Sequence, residues 1–163
     1  ETEGRGLVVA MNKWDLVGDQ AKQRKLVRES LDHSLAQIKE VPMVTISALD
    51  GTNLDRLMQD VMAVDEKWNT RVPTAKLNRW LDTALEENPP PMVKGRRIKI
   101  RYMTQARTRP PTFALFASQA EKLPDAYIRY LANGLRKAFG FTGVPLRLHI
   151  RGGENPFDRA ARK

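Results

Sequence analysis

Apolar positions along the chain fall into two rhythms. Gly6–Met11 (Gly-Leu-Val-Val-Ala-Met) is a short continuous apolar run with β-branched residues, which predicts a buried parallel strand. Asp19 then stands as an N-cap. From Gln20 to Lys39, Leu26, Leu31, Leu35 and Ile38 recur at helical spacing, with Lys22, Arg24, Lys25, Arg28 and Glu29 on a solvated face. Pro42–Ile46 is a second short apolar strand. Asp50-Gly51-Thr52-Asn53 reads as a turn and cap, after which Leu54, Leu57, Val61 and Val64 continue as an amphipathic helix. The order strand–helix–strand–helix is that of α/β units with a parallel sheet.

Arg71-Val72-Pro73 breaks this pattern and marks a domain junction. The next helix carries Leu77, Trp80, Leu81, Ala84 and Leu85 as one core-facing stripe. Asn88-Pro89-Pro90-Pro91 ends it, because proline lacks the N–H and restricts the residue before it. Arg96–Thr104 alternates, which predicts one strand with Ile98, Ile100 and Tyr102 on one face and Arg97, Lys99 and Arg101 on the other. Thr112–Ser118 is apolar on both faces. Pro124-Asp125 opens a helix with Tyr127, Ile128, Leu131 and Leu135 inward and Arg129, Asn133 and Arg136 outward. Val144–Ile150 alternates again, setting Leu146, Leu148 and Ile150 against Arg147, His149 and Arg151. The second unit therefore reads α-β-β-α-β. Residues 152–163 have Gly, Pro and charge but no period, and are expected to form a basic flexible tail.

Charge sharpens this division. The formal net charge of +9 is uneven: residues 1–69 hold 9 basic and 12 acidic side chains, and residues 70–163 hold 19 and 7. A first unit at −3 and a second at +12 suggest that the second faces a polyanion. With no cysteine, the chain excludes a disulfide scaffold, a zinc–thiolate site and a cysteine nucleophile, which fits a cytoplasmic protein. No apolar run reaches the ~18 residues of a membrane helix. His33 and His149 have no ligand-like neighbours, and no metal is expected on them. The chain does not open on Met and reads as an excerpt of a longer protein.

Ligands of open α/β sheets bind beyond the carboxyl ends of the strands, and both strands of the first unit end in informative residues. The first runs into Asn12-Lys13-Trp14-Asp15 and the second into Ser47-Ala48-Leu49. Asn-Lys-x-Asp suits guanine. The Asp15 carboxylate can accept from the N1–H and N2 amino groups of the base, a donor pair that adenine lacks. Asn12 can donate to the base edge and brace the neighbouring loop. The stem of Lys13 can lie along the base, and the Ser47-Ala48 turn can offer a backbone N–H to the guanine O6.

Beyond these residues, the chain resembles the C-terminal part of the bacterial ribosome-assembly GTPase family EngA, also called Der. The matching stretches are Asn12-Lys13-Trp14-Asp15-Leu16, Ile46-Ser47-Ala48, Leu77-Asn78-Arg79-Trp80-Leu81 and Pro89-Pro90-Pro91. They continue with Gly95–Tyr102, Thr104-Gln105, Pro110-Pro111-Thr112-Phe113, Arg129-Tyr130-Leu131, Asn133-Gly134-Leu135-Arg136 and Asn155-Pro156. The resemblance implies an α/β fold: the C-terminal half of a P-loop GTPase domain over residues 1–69, then an α+β KH-like domain over 70–151. That domain has a three-stranded sheet with helices on one face.

The resemblance further implies two consecutive GTPase domains in the intact protein, GTP or GDP as ligand, and Mg2+ held by residues absent here. It implies a role in assembly of the large ribosomal subunit, with the subunit's rRNA and an upstream GTPase domain of the same chain as partners. No Gly-Lys dipeptide occurs in the sequence, so it holds no Gly-x-x-x-x-Gly-Lys-Ser/Thr phosphate loop. The resemblance places that loop and the magnesium-binding residues upstream of Glu1. The segment alone is therefore expected to be inactive, with no catalytic residue of its own.

For the second unit, Arg97, Lys99 and Arg101 with Arg147, His149 and Arg151 are expected to merge into one RNA-contacting or domain-docking patch, if their strands are adjacent. KH domains clamp RNA with Gly-x-x-Gly between two helices. Gly140-Phe141-Thr142-Gly143 has that spacing but lies between a helix and a strand, and reads as a helix stop. The competing possibility is a non-enzymatic RNA-binding or docking module with no nucleotide role of its own.

Overall fold

A computed structural model describes residues 3–35, 38, 40–93 and 95–152, with Arg96 described by its backbone alone. Among these residues, one compact unit takes the chain up to Thr70 together with Phe141–Pro145. The other takes Arg71–Gly140 and the residues from Leu146 onward. Apart from Gly152, the expected tail lies outside the described residues, as does the Asn155-Pro156 stretch.

In the first unit, β1 (Val9–Met11) and β2 (Met43–Thr45) pair in parallel, with Ala10 opposite Val44. Helix α1 (Gln20–Ser34) connects them and α2 (Leu54–Asn69) follows. Asp19 caps α1 by accepting from the Lys22 N–H at 3.0 Å. The helix is shorter than the periodicity predicts. It stops at Ser34, and Leu35 closes it with its N–H on the Leu31 carbonyl. Ile38, expected on the same helix, is instead buried beyond its end. The segment Phe141–Pro145 packs back into this unit. The Gly143 carbonyl accepts from Leu7 N–H at 2.9 Å, and Lys67 donates to the Thr142 hydroxyl.

With two strands only, both are edges among the described residues. The helices accordingly lack full cover: α1 buries no residue, and on α2 Leu54, Met58, Val61 and Met62 are exposed.

In the second unit, α3 (Thr74–Glu87) ends at Asn88 before the prolines, as the sequence predicts. A short hairpin follows, β3 (Met92–Val93) against β4 (Arg96–Arg97). Then come β5 (Ile100–Arg107), β6 (Thr112–Ala117), α4 (Asp125–Phe139) and β7 (Arg147–Gly152). The sheet order is β5-β6-β7, antiparallel then parallel. Central β6 lies between β5 and β7; on one face Phe113, Leu115 and Ala117 are fully buried, while Phe116 on the other is half-buried. Helix α3 packs on β5 and α4, and α4 packs on β7. Leu77, Leu81, Leu131 and Leu135 are almost fully buried, each contributing about 1.5–3 kcal/mol. Arg136, expected outward, is buried at 8% exposure and donates to Asn133 Oδ1 at 3.1 Å.

The largest departure from the sequence pattern is in β5. The single strand expected over Arg96–Thr104 is two strands, and β5 carries two bulges. Ile100 pairs with Ala117 but Tyr102 pairs with Phe116; Gln105 pairs with Phe113 but Arg107 pairs with Thr112. Each bulge inserts one unpaired residue and resets the alternation. Ile100, Met103 and Gln105 therefore face the core, while Tyr102 stands on the opposite face from Ile100.

Side chains pin this register. On the outer edge of β5, Asn78 of α3 accepts from Met103 N–H and donates to Met103 C=O, both at 2.9 Å. Buried Gln105 accepts from Val72 N–H at 2.7 Å and donates to the Arg107 carbonyl at 3.3 Å. Asn78→Ala leaves both Met103 backbone groups unpaired. It is expected to destabilise the chain by about 1–3 kcal/mol, read as a lower urea midpoint with an unchanged m-value.

Tyr127 supplies a pH-dependent tie. Its hydroxyl donates to the Asn88 carbonyl at 2.6 Å, linking α4 to the end of α3. Burial, aided by neighbouring Tyr130, pushes the phenol up to about 12 from 10.0. A raised folded value means that the contribution is complete below pH 10 and is lost as pH rises toward 12. Urea titrations at rising pH are expected to show Tyr127→Phe losing less stability than the native chain across that window.

Candidate functional site

The ends of β1 and β2 converge through one side chain. Asn12 Oδ1 accepts from its neighbour Lys13 N–H at 2.8 Å and, across the sheet, from Ala48 N–H at 3.0 Å. Trp14 N–H donates to the Ile46 carbonyl at 3.0 Å, and Ile46 N–H to the Met11 carbonyl at 2.9 Å. The two loops are thereby laced together just past the strands. Lys13 holds a left-handed backbone, φ 59°, a conformation uncommon outside glycine. It turns the chain from β1 into the short helical turn Trp14–Leu16.

The second loop is tightened from within. Ser47 is buried, and its hydroxyl donates to Asp50 Oδ2 at 3.1 Å. Ser47 N–H donates to the Thr52 carbonyl at 3.3 Å. Asn53, whose sequence position suggested a helix cap, makes no cap bond; its amide donates to the Thr45 carbonyl at 2.8 Å.

Of the five residues expected around a base, Asn12, Lys13 and Ala48 are joined by the Asn12 bonds, and all three are exposed. Asp15 and Ser47 line a cleft of about 300 Å3 with Trp14, Gln20, Thr52 and Asn53. Asp15 is exposed rather than buried, so its carboxylate is open to an incoming donor pair. The Ala48 N–H, expected to meet a carbonyl on a ligand, is engaged by Asn12. A base oxygen arriving there has to share or replace that bond. Trp14 is the member that the residue pattern did not single out. It is 9% exposed, its buried Nε1 has no hydrogen-bond partner among the described residues, and the Arg24 guanidinium lies 6.0 Å from its ring. An apolar residue inside Asn-Lys-x-Asp was the available signal.

The basic residues of the second unit are arranged differently from expectation. Strands β5 and β7 are the two edges, separated by β6, so their cations do not merge by strand adjacency. Arg97 sits in the small hairpin, Lys99 between β4 and β5, and Arg101 at the first bulge. On β7 the expected alternation holds, with Arg147, His149 and Arg151 exposed. Register places Arg151 beside Phe116, His149 beside Ala114 and Arg147 beside Thr112. The second bulge brings Arg107 to Thr112 from the other side. Arg107 was not among the expected residues, because a bulge leaves no mark in the alternation. Gly140 ends α4 at φ 69°, with its N–H on the Arg136 carbonyl, so Gly140–Gly143 is a helix stop rather than a clamp between two helices.

A family profile for the KH-domain-like module of EngA bacterial GTPase enzymes, C-terminal, matches residues 71–151. Proteins named GTPase Der match almost the whole chain. The one from Rhodopseudomonas palustris (strain TIE-1) is 50% identical over 157 residues, covering 96% of this chain and 34% of the relative. The chain belongs to the EngA (Der) family. The Der protein of Azorhizobium caulinodans is 53% identical over 155 residues, covering 95% of this chain and 34% of its own. That of Agrobacterium fabrum is 48% identical over 161 residues, with 99% and 34% covered. The chain thus spans about a third of the Der relatives it matches. Among solved structures, Era from Aquifex aeolicus bound to GDP.AlF4- aligns with 89% of this chain and 54% of its own, at 18% identity and a TM-score of 0.28. That likeness is too slight to carry an argument.

Within this EngA-family chain, the Asn12 bonds are the element to probe. Asn12→Ala removes the side-chain bond that ties the first loop to the Ala48 N–H. Amide exchange at Ala48 is expected to speed up about tenfold, while Leu115 in the second unit keeps its protection. Hydrogen exchange followed by NMR reads both sites.

Proposed function

We propose that this chain is the base-selecting and RNA-contacting portion of a protein that binds and hydrolyses GTP and acts in assembly of the large ribosomal subunit. The observation that carries this reading is the lacing of Asn12-Lys13-Trp14-Asp15 to Ser47-Ala48 at the ends of two parallel strands. Residues 1–69 form the guanine-recognising part of a GTPase domain. Asp15 accepts from the base, Lys13 lies along its face, Asn12 sets the loop, and Ser47 and Ala48 close the pocket. Mg2+ and the phosphates belong to residues outside this sequence, so the segment alone neither hydrolyses GTP nor binds it tightly.

Residues 70–151 form the KH-like module that contacts rRNA or another GTPase domain of the same chain, and its net positive charge supports an anionic partner surface. The protein acts in the cytoplasm. Among the described residues no helix is long and apolar enough to cross a membrane, and no cluster of His, Asp and Glu is arranged to hold a metal.

Asp15→Asn in the intact protein tests the base assignment. An amide in place of the carboxylate exchanges one acceptor for a donor, which suits xanthine instead of guanine. Competition binding is expected to shift preference from guanine toward xanthine nucleotides by at least about a hundredfold. Unchanged specificity would sink the assignment.

A further inference from the structure

The face of the second unit's sheet turned away from the core carries an unusual combination of side chains. The two bulges in β5 and the register of β6 with β7 set three rows across it: Tyr102–Phe116–Arg151, Thr104–Ala114–His149 and Arg107–Thr112–Arg147. In the first row the Tyr102 and Phe116 rings stack in parallel, with centroids 4.6 Å apart and planes 5° apart. Both rings are half-buried, while Arg107, Arg147, His149 and Arg151 are exposed.

A stacked aromatic pair on a sheet surface is not needed to fill the core, which Phe113 and Leu115 fill from the opposite face of the same strand. It offers instead an apolar step bordered by cations whose spacing the strand register sets. Alternate residues along a strand are about 6.6 Å apart, so Arg147 and Arg151, two rows apart, can hold different phosphates. An aromatic step next to spaced guanidinium groups is the chemistry that recognises unpaired bases on a phosphate backbone. A duplex hides its bases, and an acidic protein surface gains nothing from the ring faces.

We infer that this sheet face binds single-stranded RNA, with a base extending the Tyr102–Phe116 stack and the backbone running along Arg107, Arg147 and Arg151. The inference deepens the RNA-contacting reading above and rests on it. It differs from a purely electrostatic patch in needing unpaired bases.

The test uses the 163-residue chain and two fluorescein-labelled probes, an oligo(U) strand of about 12 nucleotides and a duplex RNA of the same length. Anisotropy is expected to show tighter binding of the single strand. Tyr102→Leu and Phe116→Leu weaken it about tenfold with an unchanged salt slope, whereas Tyr102→Phe binds like the native chain. Arg107→Gln with Arg151→Gln lowers the slope of log affinity on log salt by about 1.4, at ~0.7 per phosphate on a single strand.

Leucine variants that keep the native melting temperature and bind like the native chain overturn the inference, as does equal affinity for duplex. Either result leaves an RNA-contacting module standing. Absence of binding to both probes at low salt removes the module reading as well. Photocrosslinking of the unsubstituted chain to the same strand gives an independent readout. Adducts on Tyr102 or Phe116 are expected, and adducts confined to the helices contradict the inference.

Discussion

Two side-chain amides determine what the second unit presents to its surroundings. Asn78 binds both backbone groups of Met103, and Gln105 ties Val72 to the Arg107 carbonyl. Both act on an edge strand, where backbone groups otherwise lack partners. They hold β5 in a register with two bulges. A one-residue slip in a strand sends every side chain to the other face. Without the first bulge, Tyr102 would enter the core beside Ile100; with it, Met103 takes that place and Tyr102 meets Phe116 outside. The resulting face is the surface on which the single-stranded RNA inference depends.

The first unit shows the same economy at its strand ends. A single acceptor, Asn12 Oδ1, serves Lys13 and Ala48, so the two loops of the candidate base site share one anchor. Backbone bonds between Trp14 and Ile46 and the Ser47–Asp50 contact hold them further, rather than a deep core. The two-stranded sheet provides little of that: α1 has no buried residue, and α2 buries only Val64.

Much of this was legible in the residues. Apolar runs located β1 and β2, Asp19 gave the start of α1, and prolines bounded α3. The Asn-Lys-x-Asp motif lies directly after β1, as the apolar run before it predicts. What escaped has physical causes. A bulge adds a residue without altering composition, so the alternation of Arg96–Thr104 continues in sequence while the faces switch in space. Arg136 looked like a surface residue by helical position, but its long side chain is covered and bonded to Asn133. Ile38 continued the α1 stripe in sequence and is buried in a different segment. Adjacency of β5 and β7 was a matter of topology, which local pattern does not encode.

Side-chain ties on the β5 edge turn Tyr102 outward onto Phe116, and this arrangement is open to measurement in solution. A NOESY spectrum of the isotopically labelled chain reads ring-to-ring proximity without any substitution. Strong cross-peaks between the Tyr102 and Phe116 ring protons, together with cross-peaks from the Met103 amide to the Asn78 side chain, are expected. Cross-peaks placing the Tyr102 ring among the core methyls of Leu131 and Leu135, with none to Phe116, would contradict it.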